Sequence, residues 1–281
     1  MMEFDVKSGG SGANGFQSAG FNSSTGNLRG DMQEVFIRGR NLTETYHRAL
    51  VELENQGIIV DCSDWDQRQK ECAMTVHIEE PMAEPRISKL IIGGAYDLQR
   101  YVMEIVDGIL DFKINAGWDY TYHDRFAKFL PYIINELTRN RESRRAVISI
   151  RDNEVDSRNK DAACMQSIQF FIRSGKLDLM VLFRSNDLPE AFFFNAFGLI
   201  TLQEKIAGKL GVAVGTYTHR SNSMHCYEKD FQLLQNFVKA INERSADELC
   251  FNYKGDWEEI MKAEIPNINK LVDDLKIVNG K

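Results

Sequence analysis

Residues 161–187 read DAACMQSIQFFIRSGKLDLMVLFRSND, and the fold turns on how this stretch is parsed. Two strand-like runs, SIQFFI and LDLMVLF, flank a turn at Arg173-Ser174-Gly175-Lys176, which makes the stretch a β-hairpin. Cys164 stands just before the first run and Arg184 just after the second. Positive charge near a thiol lowers its pKa and favours the nucleophilic thiolate. Taken alone this is a weak sign, because a cysteine is more often a small buried hydrophobe.

Strand-rich segments continue on both sides of the hairpin, RRAVISIRD upstream and GVAVGTYTHR downstream. FFFNAFGLITLQEKIAGKL, FQLLQNFVKAINER and IPNINKLVDDLK have helical spacing. Toward the N-terminus, VFIRG from Val35 predicts a short strand. LTETYHRALVELENQG then places Leu42, Tyr46, Ala49, Leu50 and Leu53 on one helical face, with Asn41 as cap and Gly57 as stop. MTVHIEE alternates like a half-buried strand ending at Pro81. DLQRYVMEIVDGIL and FAKFLPYIINELTRN predict two more helices, the second kinked or divided by Pro131. Residues 8–30 are rich in Gly, Ser and Asn and show no periodicity. The chain therefore reads as a flexible tail over residues 1–32 and a single α+β domain over residues 33–281, a mixed sheet covered by helices on one face.

The 281 residues include 34 basic and 41 acidic side chains, a net charge of −7, and 43% are hydrophobic. That suits one sizeable core. It argues against a nucleic-acid polymer as partner, which calls for clustered Lys and Arg. No run approaches the roughly 20 apolar residues of a membrane span, and the N-terminus lacks the order of a secretion signal. A soluble, cytoplasmic protein with no membrane partner is expected. The five cysteines, Cys62, Cys72, Cys164, Cys226 and Cys250, contain no C-x-x-C pair, so neither a disulfide framework nor a metal site is indicated.

Further motifs surround Cys164 in order: Ser143-Arg144-Arg145 before it, Arg184-Ser185-Asn186-Asp187 after it, then Phe194-Asn195, then His225-Cys226-Tyr227. Over residues 143–227 this series resembles the thymidylate synthase and pyrimidine nucleotide hydroxymethylase family. The RSND form and Ser223 resemble the hydroxymethylases and the divergent archaeal and phage synthases. The resemblance implies a thymidylate synthase-like fold and a homodimer joined sheet to sheet. It also implies one-carbon transfer from 5,10-methylenetetrahydrofolate to C5 of a pyrimidine deoxynucleotide, with Cys164 adding to C6.

Residue by residue, the same resemblance implies the following roles. Arg184 and Ser185 bind the nucleotide 5′-phosphate from the same subunit, and Arg144 and Arg145 reach it from the neighbour, guanidinium forks matching phosphate oxygens. The Asn195 amide matches the O4 acceptor and N3–H donor of uracil, which favours dUMP over dCMP. His225 and Tyr227, two apart on a strand and so on one face, hold the sugar 3′-hydroxyl, while Cys226 alternates away to be buried and inert. Asp187 contacts the pterin and organises water, and Gln169 lies near the nucleotide. Glu104 is assigned as the catalytic glutamate, with Asp107 one turn on as its alternative. Tyr122 lies near the C5 proton, and Trp118 packs on the folate.

The sequence also departs from the family. His123 replaces a glycine, and the segment between Glu104 and Tyr122 is short. Arg68 lacks the surroundings of the family's mobile phosphate-loop arginine and reads as surface charge. The terminus KIVNGK is polar and basic where the synthases carry a short apolar tail that closes over the folate. Closure excludes water, the competitor of hydride transfer. Methyl and hydroxymethyl products therefore both stay open, as do a modified pterin donor, a dCMP or CMP 5-hydroxymethylase and a catalytically silent nucleotide-binding relative. A thiol hydrolase would need His225 or His219 as base, and no third member of a triad is evident.

Overall fold

A computed structural model describes residues 30–278. The tail expected over residues 1–32 lies, as far as residue 29, outside the described residues, and so do the last three of the terminus KIVNGK. In chain order the elements are β1 (Glu34–Gly39), α1 (Leu42–Gln56), β2 (Ile58–Cys62), β3 (Gln67–Ile78), β4 (Ile87–Ser88), α2 (Ala95–Asp107), α3 (Tyr122–Ala127), α4 (Leu130–Arg139) and β5 (Val147–Ser149). There follow α5 (Asn153–Asp156), β6 (Met165–Arg173), β7 (Lys176–Phe183), β8 (Asn186–Asp187), α6 (Phe193–Leu210), β9 (Ala213–Tyr227), α7 (Phe231–Glu243), β10 (Cys250–Phe251) and α8 (Glu258–Val278).

The hairpin read from the sequence is β6–β7. Its two-residue turn puts Ser174 and Gly175 at φ 50° and 73°, the twist that a tight hairpin requires. Around it an eight-stranded sheet runs β1-β3-β9-β7-β6-β5, with β2 and β8 as short further partners of β3 and β9. The sheet is mixed: β1 lies parallel to β3 and β7 parallel to β9, while β3–β9, β6–β7 and β5–β6 are antiparallel.

One face is covered by helices. The five apolar positions expected on α1 are all buried, and the Asn41 side chain accepts from the Glu44 amide at 3.0 Å, as a cap should. α6 is buried on nearly every side, as its apolar sequence requires. Pro131 sits in the first turn of α4, so the predicted long helix is divided into α3 and α4. α2 stops at Gly108, at φ 65°, where a Cβ would come within 2.2 Å of His123 Nδ1.

Among the described residues, no helix covers the other face along two register rows. Phe36, Thr75, Arg220, Leu182, Ser167 and Ser149 lie in one row, and Arg38, His77, Thr218, Met180, Gln169 and Val147 in the next. Phe36, Met180 and Val147 are 65%, 45% and 44% exposed.

β9 runs to Tyr227, well past the predicted end at Arg220, and β3 starts at Gln67, ahead of the predicted MTVHIEE. A bulge explains the first difference. Cys72 pairs with Met224 and Met74 with Ser221, so β9 carries one extra residue there. Fully buried positions pass from Tyr217, His219 and Ser221 before the bulge to Met224 and Cys226 after it. The alternation is reset, and His225 and Tyr227 are handed to a cavity at that end of the sheet.

Candidate active site

The hairpin's geometry builds the centre of the site. Met165 pairs with Phe183, so the residues just outside the two strands, Cys164 and Arg184, meet. The Arg184 amide donates to the Cys164 carbonyl at 2.8 Å, and Ser185 Oγ lies 3.6 Å from Cys164 Sγ. The Arg184 guanidinium donates to the carbonyls of Ala162 (2.7 Å) and Ala163 (3.3 Å) and to Ser185 Oγ (3.3 Å). A fixed cation is thereby held beside the thiol.

A cavity of about 300 Å³ opens over Cys164. Arg184, Ser185, Asn195, His225 and Tyr227 line it, and so do Tyr122 and Asp187. His225 is nearly buried, and burial pushes its pKa below the ordinary value, so the ring is neutral. Its Nδ1 lies 3.2 Å from the Ser223 carbonyl, which can only accept. The proton is therefore on Nδ1, and Nε2 is left as an acceptor for a hydroxyl. Cys226, as expected, points the other way, fully buried, with burial pushing its thiol up.

Tyr122 accepts from the Met165 amide at 3.3 Å, and burial raises its hydroxyl well above its usual range. Asp187 caps the turn Leu188–Phe192 by accepting from the Glu190 amide at 3.0 Å. Burial pushes its carboxyl up to about 7, and the neighbouring Glu190 and Asp230 carboxylates add to the rise.

A second cavity, of about 350 Å³, shares Tyr122 and Asp161 with the first. Glu104 and Trp118 line this one and not the cavity over Cys164. Burial raises the Glu104 carboxyl above its ordinary value. Trp118 is 43% exposed, with Lys113 Nζ 4.2 Å from its ring centroid. Asp107, the alternative to Glu104, pairs with Lys205 at 2.9 Å and lines neither cavity.

Five further candidates stand apart from the thiol. Arg144 and Arg145 are exposed, and Gln169 donates to the Arg144 carbonyl at 3.0 Å from the helix-free face of the sheet. Arg68 is exposed and paired with Glu228. His219 is wholly buried, stacked 4.5 Å from Phe183, with burial lowering its pKa to about 3. It is no base for Cys164.

The cavity also holds residues to which the sequence reading gave no role: Trp65, Tyr101, Asp161 and Asn186. Tyr101 was within reach of pattern reading, since it lies three residues before Glu104 and so on the same helical face. Its hydroxyl bonds Asn195 Oδ1. Trp65, in a turn before β3, carried no such signal.

A family model described as thymidylate synthase matches residues 95–279. The chain belongs to the thymidylate synthase family. A protein provisionally named thymidylate synthase from Methanocaldococcus jannaschii is 34% identical over 216 residues, which is 72% of this chain and 95% of that protein. One of the same name from Methanosarcina acetivorans is 31% identical, over 73% of this chain and 95% of its own. Deoxyuridylate hydroxymethyltransferase of Pseudomonas phage M6 is 29% identical, covering 69% and 62%. Thermostable thymidylate synthase A of Bacillus subtilis shares the fold, with a TM-score of 0.59 at 18% identity over 71% of this chain and 84% of that one. As a thymidylate synthase family member the chain is a one-carbon transferase of nucleotide metabolism. Among the described residues, no helix is long and apolar enough to cross a membrane.

Proposed function

We propose that this enzyme transfers a one-carbon unit from 5,10-methylenetetrahydrofolate to C5 of dUMP through a covalent bond between Cys164 and C6. One observation carries the reading. The thiol, a fixed guanidinium, an amide and a neutral histidine acceptor share one cavity, and that cavity joins an aromatic- and carboxylate-lined one through Tyr122 and Asp161.

In this reading Arg184 and Ser185 hold the 5′-phosphate, and His225 Nε2 and Tyr227 hold the 3′-hydroxyl. Cys164 attacks C6, forming the C–S bond and moving the C5–C6 electron pair toward C5 and O4. The N–H of Asn195 meets the charge at O4. Tyr122 stands by the C5 proton, and Asp187 orders water near the base. The C–S bond breaks when the C5–C6 double bond is restored.

The second cavity fits the folate: the flat rings of Trp118 and Tyr120 suit a pterin, and the Glu104 and Asp119 carboxylates suit its N–H donors. When bound, the folate supplies the one-carbon unit and, in a synthase, the hydride. Glu104 then serves the pyrimidine from across the shared wall. The partner arginines Arg144 and Arg145 complete the phosphate site in a homodimer, and the enzyme works in the cytoplasm.

Hydroxymethylation is the second reading. It is favoured by Ser223 and by the phage relative named deoxyuridylate hydroxymethyltransferase. Mass spectrometry of dUMP, dCMP, UMP and CMP after incubation with methylenetetrahydrofolate separates the outcomes. A methylated uracil with dihydrofolate indicates a synthase, and a hydroxymethylated base with tetrahydrofolate a hydroxymethylase. A product only from dCMP or CMP overturns dUMP as substrate, and no product from any of the four overturns the transfer.

A further inference from the structure

Asn195 is one link of a hydrogen-bonded chain that runs from the cavity into the core. Tyr101 donates its hydroxyl to Asn195 Oδ1, and Asn195 Nδ2 donates to Asn186 Oδ1 at 3.3 Å. Asn186 Nδ2 meets His219 Nε2 at 3.0 Å, and His219 Nδ1 meets the Tyr217 hydroxyl at 3.0 Å. Asn186, Asn195, His219 and Tyr217 are all buried. The links come from α2, α6, β8 and β9, so only the folded domain assembles them.

A carboxamide is nearly the same shape when turned over by 180°; only its donor and acceptor exchange places. In one direction Asn195 complements uracil, with an acceptor at position 4 and N–H at position 3. In the other it complements cytosine, with an amine at position 4 and a bare N3. Its shape does not choose between them, and neither does that of Asn186. Tyrosine hydroxyls turn freely. The neutral imidazole has one N–H and one bare nitrogen, so its tautomer is coupled to the direction of every link. With the proton on Nδ1, Nε2 is bare and takes the Asn186 N–H. The Asn186 carbonyl then faces Asn195 and demands its N–H, and the Asn195 carbonyl is left to Tyr101. The other tautomer reverses every link.

Two features confine the choice to these two tautomers. The ring is stacked on Phe183, centroids 4.5 Å apart and planes at 11°, and Phe192 presses its edge region at 4.8 Å, so the two nitrogens cannot trade positions. Burial also keeps the imidazole neutral, with a single N–H.

We propose that His219, acting through Asn186, is the positioning residue that fixes the direction of the Asn195 amide and with it the preference for uracil over cytosine. This rests on dUMP as the substrate. The decisive variant is His219→Phe, which keeps an aromatic ring between Phe183 and Phe192 and removes both nitrogens. The ratio of kcat/KM for dUMP to that for dCMP is expected to fall about tenfold or more. KM should rise for dUMP and fall for dCMP, and kcat for dUMP should fall as well, because the Asn195 N–H also meets the charge at O4. A folded variant with an unchanged ratio overturns the proposal.

Nitrogen NMR of the wild-type enzyme provides a measurement independent of that variant's folding. His219 is expected as the neutral Nδ1–H tautomer, and an Nε2–H tautomer or an imidazolium overturns the proposal. Failure of the substrate reading looks different, for then the wild type neither binds nor converts dUMP. A dUMP-specific wild type whose preference survives in His219→Phe condemns the relay alone.

Discussion

Cys164 and Asp187 line one cavity. Ser185 Oγ and the Arg184 backbone lie against Cys164. A serine at 164 keeps the shape and loses the sulfur nucleophile. Cys164→Ser is expected to lower kcat by at least about a thousandfold, while calorimetry is expected to show dUMP binding nearly unchanged, because the residues proposed to hold the phosphate, base and sugar are untouched. Asp187 is desolvated, its carboxyl raised from 3.8 to about 7. Between those values the folded state holds a proton that the unfolded state has lost, so stability falls as pH rises through the window. At roughly 1.4 kcal/mol per pKa unit the loss is at most about 4 kcal/mol. Asp187→Asn cannot ionise. Its Tm, compared with that of wild type, is therefore expected to rise between pH 4 and pH 7 and then level off; a constant difference across that range would mean that Asp187 is already ionised in the folded protein. Cys164, Arg184, Asn195, His225 and Tyr227 were legible in the sequence because each sits in a short motif whose residue types suit a nucleotide. The partners of Asn195 were not, since Tyr101, Asn186 and His219 meet only through the tertiary fold.

At the scale of elements, the β6–β7 hairpin is a rigid arm that sets Cys164 against Ser185. Its turn lies at the far end of both strands from the thiol. Gly175 has φ 73° there, and a Cβ on it would meet nothing within 4 Å. Gly175→Ala thus adds only left-handed backbone strain, about 1 kcal/mol, and Tm is expected to drop by about 2–4 °C. The KM for dUMP should hold steady; a large rise would mean that turn strain reaches the site. This hairpin was readable because alternation and turn chemistry agreed. The end of β9 was not, because Arg220, Ser221, Asn222 and Ser223 form a polar run in which the bulge breaks the period of two. The same bulge directs His225 into the cavity, so the least legible part of that strand is the part the site uses. Pro131 spoke plainly, since a proline is compatible with a first helical turn and disfavoured in a helix interior.

For the whole molecule, the question is what covers the face of the sheet that no described helix covers. Phe36, Met180 and Val147 are well exposed there, beside Thr and Ser side chains that present no bulk. Arg144 and Arg145 emerge next to this face, tied to it by the Gln169 bond, and away from their own subunit's thiol. A second copy packed sheet to sheet gives both features a purpose: the apolar rows are buried, and each subunit's arginines can reach the other's cavity. Phe36→Glu combined with Met180→Glu is expected to yield monomers in sedimentation and to abolish turnover, although neither residue lines the cavity. Shared sites make a sharper demand. Cys164→Ser and the double variant Arg144→Ala, Arg145→Ala should each be inactive alone. When their subunits are exchanged in equal amounts, half the dimers are mixed, and each mixed dimer has one site with an intact thiol and intact partner arginines. About a quarter of wild-type activity should therefore return. Mixed dimers detected by native mass spectrometry without any recovered activity would place the arginines in the service of their own subunit, and the site would then be complete within one chain.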